Sequence, residues 1–91
     1  MIKSFKCSDT EQLFHDKRVA RFVNFQNPAR RKLLMLNAAK VLSDLNTRGN
    51  SLHALDEDRE GQHSISISDK WRICFVWQES DAYDVEIVDY H

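Results

Sequence analysis

Four residues, His53, Arg72, Tyr90 and His91, have the types needed to break a phosphodiester. Asp89, Tyr90 and His91 stand together at the C-terminus, Arg72 lies in the preceding apolar run, and His53 sits inside Leu52-His53-Ala54-Leu55. Cutting an RNA strand through its own 2′-hydroxyl needs a base for that hydroxyl. It also needs a cation beside the crowded phosphate and an acid for the departing 5′-oxygen. Histidine titrates near neutral pH and can carry either proton, and tyrosine can donate to a phosphate oxygen. The planar arginine fork binds phosphate bidentately. The set supplies every part of this reaction without a metal or cofactor. Read by composition alone, the tail is a solvated chain end and His53 a half-buried ring bonded to backbone.

Other chemistries have weaker footing. His53 and His63 are separated by acidic residues, and Asp56, Glu57, Asp58 and Glu60 read as a solvated charged turn rather than a metal site. Cys7 and Cys74 lack zinc-ligand spacing, and no glycine-rich phosphate loop is present. His63 opens a strand on the expected core side, and His15 ends a helix, where a positive ring suits the macrodipole. Trp71 and Trp77 share the parity of the core and read as packing, not as platforms for bases.

The elements that must position these residues divide the chain in two. Ile2 to Cys7 alternates like a short strand. Ser8-Asp9-Thr10-Glu11 has the capping-box pattern, with Ser8 as N-cap of a short helix carrying Leu13 and Phe14. Asn27-Pro28 reads as a second helix start, and Leu33, Leu36, Ala39 and Val41/Leu42 extend a core-facing stripe from Ala29 to about Leu45. The period then changes to two. Ile65 and Ile67, then Trp71, Ile73 and Phe75, then Val85 and Ile87 predict three strands of an antiparallel meander with these side chains toward the helices. Ser64, Ser66, Arg72, Cys74, Glu86, Val88 and Tyr90 then share the opposite, open face, provided no bulge intervenes.

At 91 residues the chain is one domain, 1–91, with no room for a large ligand cavity beside its core. No apolar run approaches the ~20 residues of a membrane span, and the first residues lack the apolar centre of an export signal. Both features predict a cytoplasmic protein with reduced thiols. The net charge of −1 hides an asymmetry. Residues 1–50 hold ten Lys/Arg against four Asp/Glu, and residues 51–91 hold three against ten. The basic half, with Arg18, Arg21, Arg30, Arg31 and Lys32, can face RNA phosphates or an acidic partner. The plain alternative is solvated helix surface.

Trp71-Arg72-Ile73-Cys74-Phe75 and Asp81-Ala82-Tyr83-Asp84-Val85-Glu86-Ile87-Val88-Asp89-Tyr90-His91 closely resemble the plasmid-maintenance killer proteins, the HigB branch of the RelE toxin superfamily. Met1-Ile2-Lys3-Ser4-Phe5, Gly61-Gln62-His63-Ser64-Ile65 and Arg31-Lys32-Leu33 through Leu36 with Ala38-Ala39 extend the likeness along the whole chain. The resemblance implies an α+β, compact RelE-like fold, two N-terminal helices packed on a curved, mainly antiparallel sheet. It implies a toxin that cuts mRNA in the ribosomal decoding site. It also implies a HigA-like helix-turn-helix antitoxin, through which alone the pair would touch operator DNA. It places function on His53, Arg72, Asp89, Tyr90 and His91. One step departs from the family pattern: a basic Leu-Lys-Gly or similar commonly follows the first histidine, and this chain has Leu55-Asp56-Glu57. Two other readings compete. A relative on the same fold can poison DNA gyrase, but such relatives generally lack the histidine-tyrosine set. A non-catalytic binding module would leave Tyr90 and His91 dispensable.

Overall fold

The computed structural model describes residues 1–55 and 61–89. Helix α1 (Ser8–Phe14) is followed by a 3₁₀ turn (Ala20–Phe25) that runs straight into α2 (Gln26–Ala38). A second 3₁₀ turn (Leu42–Leu45) leads to β1 (His53–Ala54), β2 (Gln62–Ser66), β3 (Trp71–Gln78) and β4 (Asp81–Asp89). The four strands form one antiparallel sheet in sequence order. The helices cover one face, where Leu13, Phe22, Leu33, Leu36, Ile65, Ile73, Phe75 and Val85 are fully buried. Ile67 and Trp71 pack against this cluster, as their parity predicts. This is the expected α+β architecture of helices on an antiparallel sheet.

The helix boundaries depart from the sequence expectation. Cys7, not Ser8, is the N-cap of α1, and no side chain caps it. Asn27 and Pro28 lie inside the first turn of α2, whose N-cap is Phe25. The preceding 3₁₀ turn already aligns the backbone, so the proline sits where its missing N–H is not needed. Helix α2 ends at Ala38 rather than near Leu45, because Ala39 turns extended (ψ 136°). Beyond it the Asp44 carboxylate accepts the backbone N–H of Lys40 (2.9 Å) and of Val41 (3.2 Å). A short acidic side chain that bonds nearby backbone offers the chain an alternative to the helix. The break lets Leu42 and Leu45 turn back onto the core.

The N-terminal strand is reduced to two parallel bridges on the edge of β4, Ile2 to Ala82 and Phe5 to Val85. There Ser4 meets a bulge. Between the pairs Cys74–Glu86 and Val76–Tyr83 one β3 residue opposes two of β4. Asp84 takes a positive φ of 53°, and its amide donates to Ser4 Oγ (2.9 Å). The bulge reverses parity along β4, so Ala82 and Val85 are both buried. It falls before Glu86, which leaves the Arg72–Val88 pairing intact. Farther along the edge, the fully buried Thr10 hydroxyl accepts the Ile87 amide (3.0 Å) and fixes α1 to the sheet.

Candidate active site

Strand pairing decides which candidates meet. Arg72 pairs with Ser66 on one side and Val88 on the other, and Ser64 pairs with both His53 and Cys74. Directly paired residues point to the same face, so His53, Ser64, Ser66, Arg72, Cys74, Glu86 and Val88 share the face away from the helices. The sequence parity is right for Ser64, Ser66, Arg72, Cys74, Glu86 and Val88, and His53 joins them through its pairing with Ser64. That face is less open than expected, since Ser64 and Cys74 are fully buried at its centre. Ser64 is covered because the arginine lies across it.

The Arg72 guanidinium is fixed from two sides. Its Nε donates to Ser64 Oγ at 2.8 Å, and one terminal nitrogen donates to the carbonyls of Ser51 and, at 3.4 Å, Ser64. Ser51 itself adopts φ +46°, the left-handed region. The side chain is thereby bent over Ser64 toward the edge strand that carries the exposed His53. All its partners among the described residues are neutral oxygens. Its other terminal nitrogen bonds nothing among the described residues, which leaves donors for an incoming anion.

Asp89 closes β4, is exposed and pairs with Trp71, which gives it the opposite parity to Arg72. Tyr90 and His91 lie outside the described residues, as do Asp56, Glu57, Asp58 and Glu60 of the acidic step. His63 is half-buried, stacks on Phe75 (6.1 Å between centroids), and its buried Nδ1 has no hydrogen-bond partner among the described residues. It belongs to packing, as its parity predicts.

The five basic candidates named in the first half do not form one patch. Arg21 donates to Asp9 (2.9 Å) and Cys7 Sγ (3.4 Å) and lies over the Phe22 ring. Arg30 donates to the carbonyls of Leu13 and Lys17 and pairs with Asp16 at 3.4 Å. Both brace α1. Arg18 and Arg31 are exposed. Lys32 turns the other way, donating to the Gly49 carbonyl (3.1 Å) and to the Asn50 side chain. Burial holds its ammonium below the ordinary lysine range, and repulsion from Arg31 and Arg72 adds to this. The grouping of Lys32 with Arg72, and the roles of Ser51 and Ser64 as acceptors, have no local sequence signal. They join residues far apart in the chain.

Residues 3–91 match the family of RelE-like toxins of the type II toxin-antitoxin system HigB. The chain belongs to this HigB-like toxin family. Among its relatives, Endoribonuclease HigB of Proteus vulgaris is 39% identical over 93 aligned positions, covering the full length of both chains. Toxin HigB-1 of Vibrio cholerae serotype O1 is 32% identical, with 90% of each chain covered. Membership in a type II system brings an antitoxin partner with it. Among the described residues, no helix is long and apolar enough to cross a membrane.

Proposed function

We propose that this HigB-like toxin is a ribosome-dependent endoribonuclease that cuts messenger RNA in the decoding site without a metal. The observation that carries the reading is the placement of His53 and Arg72 on one sheet face, either side of Ser64, with the guanidinium held by neutral oxygens. The name of the Proteus vulgaris relative, an endoribonuclease, supports the same chemistry.

In this mechanism the 2′-oxygen attacks the adjacent phosphorus, and the bond from phosphorus to the 5′-oxygen breaks, leaving a 2′,3′-cyclic phosphate. His53 or His91 accepts the 2′-hydroxyl proton. The other histidine, or Tyr90, gives a proton to the departing 5′-oxygen. Arg72 stabilises the charge that builds on the phosphate oxygens. Asp89 orients a neighbouring ring or its strand end. Arg18, Arg31 and Lys32 present charge for ribosomal RNA or the antitoxin. Arg21 and Arg30 reach such a partner only with the charge left beyond their internal contacts. The antitoxin in this reading is HigA-like, with a helix-turn-helix domain, and operator DNA is reached only through it. The toxin works in the cytoplasm, where its target is.

Primer extension on a defined message bound to ribosomes tests the reading. A cut within the decoding site, absent on free RNA and absent with Tyr90→Ala, is the expected result. An intact message on ribosomes from a plausible host would refute it.

A further inference from the structure

The loop between the second 3₁₀ turn and β1 offers three successive carbonyls to three different donors. Gly49 accepts from Lys32 Nζ, Asn50 from the Ser66 amide (2.6 Å), and Ser51 from Arg72. Gly49 (φ +91°) and Ser51 (φ +46°) both take left-handed backbone, which bends the loop around these donors. Lys32 also holds the side chain of the buried Asn50, whose Nδ2 is tied to the Leu45 carbonyl (2.9 Å). The loop is therefore a rigid spacer. It fixes an ammonium from α2 and a guanidinium from β3 on backbone atoms that are two Cα steps apart, roughly 7 Å at most.

Two positive groups are held together in this way, and among the described residues neither bonds a carboxylate. The ion pairs among the described residues join Met1 to Asp81, Lys6 to Glu86, Arg21 to Asp9 and Arg30 to Asp16. The repulsion that Arg72 and Arg31 exert on Lys32 is a standing cost of the fold. An anion seated between the two cations removes it. Lys32 uses two of its three N–H donors on the loop, and Arg72 keeps one terminal nitrogen.

Resting on the reading above, we infer that Lys32 is a second phosphate-binding cation of this site, acting with Arg72 on the same RNA phosphodiester. It supplies from α2 the positive charge that the acidic Leu55-Asp56-Glu57 step does not. Lys32 is thereby set apart from Arg21 and Arg30, which brace α1.

A 2′-deoxy dinucleotide, which carries a phosphodiester but has no attacking hydroxyl, is the probe. Its titration into the wild-type protein is followed by NMR at the Lys32 ammonium and the Arg72 guanidinium. Both signals should move along one binding curve, and the Lys32 ammonium should titrate at higher pH once the dinucleotide is bound. Lys32→Gln should weaken dinucleotide binding, and slow cleavage of ribosome-bound message, by about 10–100-fold, the range of one charge-assisted hydrogen bond. Lys32→Arg should recover most of both, and Lys40→Gln, two residues beyond the end of α2, should change neither. The inference is overturned if only Arg72 responds, if the dinucleotide fails to bind, or if Lys32→Gln binds it as tightly as wild type. If both signals move but wild type leaves ribosome-bound message intact, the phosphate site stands and the endoribonuclease reading falls.

Discussion

Two groups of cations in this small molecule are used differently. Arg21 and Arg30 are occupied by Asp9, Asp16 and the carbonyls of Leu13 and Lys17, and they hold α1 in place. Among the described residues, Lys32 and Arg72 bond only neutral oxygens of Ser64 and of the loop that leads to His53. Both groups are cations, and what separates them is the charge of their partners. A cation already neutralised by a carboxylate is a strut. A cation held by carbonyls is fixed in place and still attracts an anion.

That contrast can be broken by substitution. The largest effect should follow Arg72→Gln, which removes the phosphate cation and should lower the cleavage rate by about 10²–10³-fold, as expected for loss of one preorganised charge donor. Single-turnover cleavage of ribosome-bound message measures it, and a loss below tenfold would merge the two groups. On the strut side, Thr10→Val strips the buried Ile87 amide of its acceptor. It should cost about 1–3 kcal/mol in denaturant unfolding, the penalty of an unsatisfied buried donor.

Arg30→Gln should cost roughly 1 kcal/mol by the same assay, because two of its bonds are to carbonyls and Asp16 is exposed. Stability unchanged in Arg30→Gln would remove the strut assignment. The smallest effect concerns the thiols. Burial raises the Cys7 thiol, but hydrogen bonds from Thr10, the Asp9 amide and Arg21 outweigh it and leave the group below its ordinary value. Its folded value is depressed, so its thiolate contributes stability that is present above the unfolded value and lost as pH falls through the folded one. Alkylation in the native state should therefore label Cys7 and spare the buried Cys74. Arg21→Gln should slow it slightly. Equal labelling of both cysteines would contradict this.

Much of this arrangement is legible in the chain. The three long strands announce themselves by strict alternation, and parity alone puts Arg72 on the face away from the helices. The two-residue β1 is too short for any periodic signal, and its place rests on pairing with β2. The bulge at Asp84 is hidden because an aspartate in left-handed backbone reads like any polar strand residue, and its amide is satisfied by Ser4 from the other end of the chain. The early end of α2 is hidden for a similar reason. Leu42 keeps the helical spacing while Asp44 captures the amides that would have continued the helix. The approach of Lys32 to Arg72 depends on a loop fold and two long-range bonds, so no window of sequence contains it. The family likeness supplies what periodicity does not: the expectation that the C-terminal Asp89-Tyr90-His91 takes part in cutting.

In the proposed function, the guanidinium on the sheet face away from the helices serves the cutting of ribosome-bound message. The most direct measurement compares wild type and Arg72→Gln, at equal concentrations of folded protein, by primer extension on one message in two states, free and on ribosomes. Wild type should cut in the decoding site and leave free RNA intact, and Arg72→Gln should lose nearly all of this cleavage. Cleavage by Arg72→Gln at the wild-type rate would contradict that role.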